Sequence, residues 1–357
     1  MYKKLLTLMI IGTIGSTADA AEIYNKDGNK LDLYGQVAAR HYFSSNNAID
    51  GDATFIRLGF KGETQINDIL TGFGQWEYNV QGNNSEGSDA TRGTKTRLGF
   101  AGLKVKDFGS LDYGRNYGII YDVAAITDTP VIFDDETFSS TDNFMTGRAN
   151  GLLTYRNHDF FGMLPGLNFG LQYQGANDES KNNPRSPFNS NGDGYGFSVE
   201  YDTAANLSIL GAYSNSKRTD EQNILSLGKG ERAEIWATGL KYDDNNLYLA
   251  ATYAEAHNLS RVTNLGFANK TQNIELVAQY TFDSGITPQI GYFNSKAKNL
   301  EGHSDQDILN YWDFSVSYAM NKNMSVYVDY KLNKIKSDNS LSIPSDDQTG
   351  IGLTYHF

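Results

Sequence analysis

Between Tyr117 and Arg148 the chain reads YGIIYDVAAITDTPVIFDDETFSSTDNFMTGR, with carboxylates at Asp122, Asp128, Asp134, Asp135, Glu136 and Asp142 and no lysine or arginine before Arg148. Acidic groups at this density act electrostatically, attracting cations and repelling anions over a Debye length of about 8–10 Å at physiological salt. Catalysis would need other company. The five histidines, His41, His158, His257, His303 and His356, form no H-E-x-x-H and no metal-ligand spacing, and there is no G-x-S-x-G elbow or P-loop. No catalytic residue, cofactor or metal is therefore expected. A formal net charge of −12 argues against nucleic acid as a partner, since phosphate binding requires a basic patch.

The elements that must hold this stretch are strands. Segments of about ten residues with period-2 patterning recur along the chain, the weak signature of a transmembrane barrel. In one, Met324, Val326, Val328, Tyr330 and Leu332 alternate with Ser325, Tyr327, Asp329 and Lys331; in another, Ile56, Leu58 and Phe60 oppose Arg57, Lys61 and Glu63. No run of about 18 apolar residues suits a helical span, and low mean hydropathy is compatible with strands of which only every second residue faces lipid. Cysteine is absent, and a closed barrel needs no disulfide because it has no free edge. The high Tyr and Phe content would also suit a large β-sandwich, but the connections favour the barrel.

Short connections fall near Asn67-Asp68, Asp107 to Gly109, Met163 to Pro165, Asp202 to Ala205, Asp243 to Asn246, Asp283 to Gly285 and Asn321 to Asn323. Long ones fall near 45–52, 83–93, 119–147, 177–192, 217–230, 258–269, 296–307 and 335–346. Seven short and eight long connections predict sixteen antiparallel strands with both ends on the short-turn side. The six prolines all fall in or beside connections, where a missing N–H breaks no ladder. Sixteen strands leave an aqueous lumen, whereas eight are filled by their own side chains. The third long connection is the acidic stretch. Its length marks it as functional or disordered, and Ile119, Ile120, Tyr121, Val131, Ile132, Phe133, Phe138 and Phe144 give it the apolar surface that disorder lacks. It is expected to fold inward and narrow a channel. Lys3 and Lys4, the apolar run Leu5 to Ile14 and Ala18-Asp19-Ala20 predict a signal peptide over residues 1–20, leaving 21–357 as a single all-β barrel domain.

The blocks AEIYNKDGNKLDLYG, RLGFKGETQIND, GQWEYNVQGNNSEG, KTRLGFAGLK, DYGRNYG, LTYRN, GFANKTQN and the terminal YHF occur in this order from Ala21 to Phe357. Together they resemble the general trimeric porins of Gram-negative outer membranes, the OmpF/OmpC group. The resemblance implies a homotrimer of sixteen-stranded transmembrane barrels, each with its third loop folded into the lumen, passing small hydrophilic solutes and ions passively. It also implies contact with outer-membrane lipid and lipopolysaccharide. By motif position it implies a basic wall of Arg57, Lys95, Arg97 and Arg148 facing an acidic loop, lumen aromatics at Tyr117 and Tyr121, a subunit latch at Glu86, and a terminal Phe357 read by the outer-membrane assembly machinery. Parity places Arg57 with Lys61 and Glu63, and sets Arg97 against Leu98 and Phe100, so that both arginines point away from lipid. Gly72 and Gly74 share the parity of Leu70 and Trp76, a small-residue patch suited to close subunit approach.

Two departures from the family pattern bear on selectivity. Gln36 stands after DLYG, where some members carry lysine, and Val131-Ile132-Phe133-Asp134-Asp135 replaces the family's PEFGG, with Glu136 following and Asp128 kept in its TD pair. Lost glycines leave the loop path open, while the added carboxylates predict a weak preference for cations. Rival readings are an outer-membrane barrel hydrolase and a loop-mediated adhesin or phage receptor.

Overall fold

The computed structural model describes residues 21–134, 136–181 and 184–357; the expected signal segment and Asp135 lie outside the described residues. Antiparallel pairing passes from neighbour to neighbour and returns to its start. Asn29–Ser44 pairs with Phe55–Gln65 through Gln36↔Arg57 on one side and with Gln348–His356 through Gln36↔His356 on the other. The closed barrel has 16 strand rows, filled by 18 paired segments. The difference is instructive: Gly51–Asp52 continues the row of Phe55–Gln65, and Ala21–Lys26 shares its row with Gln348–His356. The last row is therefore composite. Ala21 stands opposite Leu33, while Phe357 exchanges both backbone hydrogen bonds with Gly35, at 2.9 and 3.1 Å.

Alternation follows the expected faces. Val328 and Tyr330 are 45% and 37% exposed on the outer surface, whereas Asp329 and Lys331 between them are 0% and 5% exposed on the inner one. A two-residue turn at Asn245-Asn246, both at positive φ, joins Arg232–Asp244 to Leu247–His257, the twist-matched hairpin that asparagine tolerates. Two details differ from the sequence reading. Pro288 lies inside Ile286–Lys298, at an end where pairing with Lys270–Tyr280 has already stopped, so it breaks no ladder on that side. A register shift between Glu77 and Tyr78 makes Arg97 an extra residue in Lys95–Val105. Both Arg97 and Leu98 then face inward, Phe100 turns in to meet Phe73, and strict alternation of Arg97 against Leu98 and Phe100 fails. A bulge re-aims side chains in this way.

Residues 118–147 run inside the barrel. Ile119, Ile120, Val123, Ala124, Ile126, Phe138, Phe144 and Met145 are buried against the wall, which is built small where they dock: Ala212, Ala237, Ala250 and Ala254 face them. A Cβ at Gly239 would come within 2.6 Å of Ile126, and one at Gly350 within 2.5 Å of Ile132. Val131 to Asp134, the described part of the stretch that replaces the family's PEFGG, has no positive φ. Among the described residues of the loop, only Asp142 and Phe144 have positive φ, and Ile132 and Phe133 are buried against Tyr327.

Candidate functional site

Pinning of the inserted loop comes first, because the site depends on it. Near the loop's start Asp122 accepts two hydrogen bonds from Arg156, at 2.8 and 2.9 Å, and one from Ser198 at 2.6 Å, a bidentate geometry that fixes direction as well as distance. In mid-loop, wall residue Glu275 accepts from the Thr127 hydroxyl, from the Thr137 N–H at 2.6 Å and from the Thr137 hydroxyl at 2.8 Å. Asp329 accepts from Ile132 N–H at 2.9 Å, Arg40 donates to the Val131 carbonyl at 3.0 Å, and Tyr311 donates to the Phe133 carbonyl at 3.1 Å. On the return limb Asp142 receives Arg115 at 2.7 Å and Arg185 at 3.4 Å. Buried backbone polar groups of a loop inside a barrel need partners, and wall side chains supply them.

Pinned in this way, the loop leaves an open cavity of about 800 Å³ between itself and the opposite wall. Arg57, Arg97 and Arg148 line it on the wall side, and Asp128, Asp134 and Glu136 on the loop side. Tyr117 and Tyr121 stack at 4.3 Å between the two groups; Tyr121 donates to Asp128, and the Arg148 guanidinium lies 5.6 Å above the Tyr117 ring. Partly buried and beside Asp128, the Glu136 carboxyl is held well above the ordinary carboxylate range. Two opposed charged surfaces around open space suit neither covalent chemistry nor tight binding. They suit the sorting of small charged solutes by field and by size.

Residues 26–357 match the family described as Gram-negative porin. The chain belongs to that family. It is 55% identical to Outer membrane porin PhoE of Escherichia coli K12 and 52% identical to Outer membrane porin F of the same organism, with 100% of both chains covered in each case. Among solved structures, a Salmonella typhi OmpF complex with daunomycin is similar at a TM-score of 0.87 and 49% identity, covering 94% of this chain and 100% of that one. The porin is thus an outer-membrane passive channel and not an enzyme.

Not every residue singled out from the sequence joins this porin's cavity. Lys95 is exposed at the start of its strand and Glu86 is exposed in a long connection, neither of them lining the cavity, while Phe357 lines it beside Gly35. Glu77 was missed. Its carboxylate sits between Arg97, with which it pairs, and Arg57 at 3.9 Å, and it accepts from Tyr34 at 3.1 Å. The signal was parity: Glu77 shares its face with Gln75 and Asn79 between outward Trp76 and Tyr78. Lys61 and Arg261 also line the cavity. Arg261 lies in a long connection that folds over the opening, donating to the Asp142 carbonyl at 2.7 Å, and no local pattern announces that contact.

Proposed function

We propose that this porin forms a homotrimer of water-filled, weakly cation-preferring channels through which ions and small hydrophilic solutes, polar antibiotics included, diffuse passively. The observation that carries the reading is the open cavity bounded by a basic wall and a pinned acidic loop. At the level of that ring Arg57, Arg97 and Arg148 meet Glu77 on their own wall and Asp128, Asp134 and Glu136 on the loop. Lys61, nearer the short turns, and Arg261, nearer the long connections, flank the ring and keep the preference weak. Each unit charge at ~4 Å is worth about 1 kcal/mol in water-like dielectric, which supports a several-fold rather than an absolute preference.

The test is the reversal potential across a KCl gradient. The wild type should prefer K⁺, and Asp134→Asn with Asp135→Asn should reduce that preference; an anion-selective wild type would overturn the sign. Burial and the neighbouring Asp128 hold the Glu136 carboxyl above the usual range, so the preference should shrink as pH falls and that carboxyl takes up a proton.

The trimer rests on the family's blocks, on the Gly72 and Gly74 patch and on exposed Glu86. Glu86→Ala should lower the temperature at which trimers dissociate in detergent gels while leaving each barrel folded. Unchanged dissociation would remove the latch, and a native protein that runs as a monomer throughout would remove the trimer. Outer-membrane lipid and lipopolysaccharide are the expected surroundings of the outward apolar face, and the assembly machinery the expected reader of Phe357. No observation among the described residues favours a barrel hydrolase or an adhesin.

A further inference from the structure

The lumen of a wide barrel is ordinarily polar, yet one sector of this wall is not. A register shift between Ser295 and Lys296 makes Ile308 an extra residue in Gln306–Ala319, and both Ile308 and Leu309 line the main cavity as a result. Behind them Phe293 and Tyr311 stack at 4.9 Å, fully buried with Val277. Ile308 and Leu309 also border a second, smaller cavity of about 210 Å³. Ile335, Ile343 and Pro344, from the last long connection, close its far side. Lys331 reaches into it with its ammonium 4.4 Å from the centre of the Tyr311 ring.

We infer that this side cavity is a binding station for a single six-membered apolar ring carried by a solute in transit. Its position gives access from water, since Ile308 and Leu309 form a threshold shared with the channel. Asn310, Asn333 and Gln348 also border the cavity, but Ile49, Ile308, Leu309, Ile335, Ile343 and Pro344 give the driving force, because apolar surface leaves water favourably wherever it can be covered. Its size sets the occupant. An apolar cavity of about 150 Å³ takes benzene, so the volume of about 210 Å³ here accepts one ring with a small substituent. The polar remainder of such a solute stays in the lumen. The inference rests on the channel reading, because the ring arrives through the lumen.

The probe is phenyl β-glucoside, with methyl β-glucoside as the ring-free control, in single-channel recordings of the native trimer. Phenyl glucoside should produce concentration-dependent interruptions of the open current, and methyl glucoside none. Ile343→Asn, which removes an apolar wall residue, should shorten the residence by about tenfold, as expected when an apolar contact with the ring is lost. Ile343→Trp, which fills the space, should abolish the events and covers the case in which the polar variant disturbs the connection. Interruptions of equal frequency with both sugars, or events that persist in Ile343→Trp, would overturn the station. Silent membranes without any sugar would instead fault the channel itself.

Discussion

Gly35→Val should leave almost no folded barrel in the outer membrane. A Cβ at this position would lie 2.3 Å from the Arg57 carbonyl oxygen and 2.7 Å from the ring of Phe357, distances that the rigid backbone of a paired strand cannot relieve. The clash falls on the composite row, where Gly35 and Phe357 exchange two of the hydrogen bonds that close the cylinder, next to the ladder from Gln36↔His356 to Ser44↔Gln348. An unclosed edge within lipid leaves backbone groups without partners, at a cost of several kcal/mol each. Deleting Phe357 separates closure from recognition. The deletion removes the burial of one Phe, roughly 1.5–3 kcal/mol, and two backbone hydrogen bonds to Gly35, while the nine remaining pairs of that ladder still close the barrel, so a collapse of yield in cells alongside nearly normal refolding in detergent would mark the residue as an assembly signal. A truncated chain that inserts at normal yield and is merely less heat-stable would show that packing over Gly35 and pairing with it are its whole contribution.

Glu275→Ala should free the middle of the inserted loop and turn a quiet channel into a noisy one. Three hydrogen bonds join this carboxyl to Thr127 and Thr137, and at about 1–1.5 kcal/mol each they hold the loop by about 3–4.5 kcal/mol. The effect should stay local. Lys270–Tyr280 keeps its ladders to both neighbouring strands, and Asp122 and Asp329 still pin the loop on either side. Single-channel records should therefore show flicker between conductance levels, with the trimer's heat resistance little changed. Steady current at the wild-type level would mean that the apolar contacts of Ile126, Phe138 and Phe144 are sufficient by themselves.

Most of the barrel was legible because strands of this kind write their faces into every second residue. Connection lengths alone gave sixteen rows, and the third long connection announced itself by charge and length. The departures are local. Arg97 and Ile308 each occupy a bulge, which has no composition of its own, so their parity could not be counted along the strand. Glu77 escaped because one carboxylate between Trp76 and Tyr78 looks like any lumen residue until Arg57 and Arg97 are brought beside it. The loop's anchors, Arg156, Glu275 and Asp329, lie far along the chain from the residues they hold, and only the closed barrel brings them together. At Asp134, where the family carries a glycine, no left-handed residue is needed, and Ile132 and Phe133 beside it are buried against Tyr327.

Conductance is the most direct test of the channel itself. Purified native protein inserted into a planar bilayer in KCl should give current that rises in steps grouped in threes, varies nearly linearly with voltage and needs no energy source. A bilayer that stays silent after insertion is verified by co-sedimentation of the protein with its vesicles would contradict the open, loop-lined lumen described above.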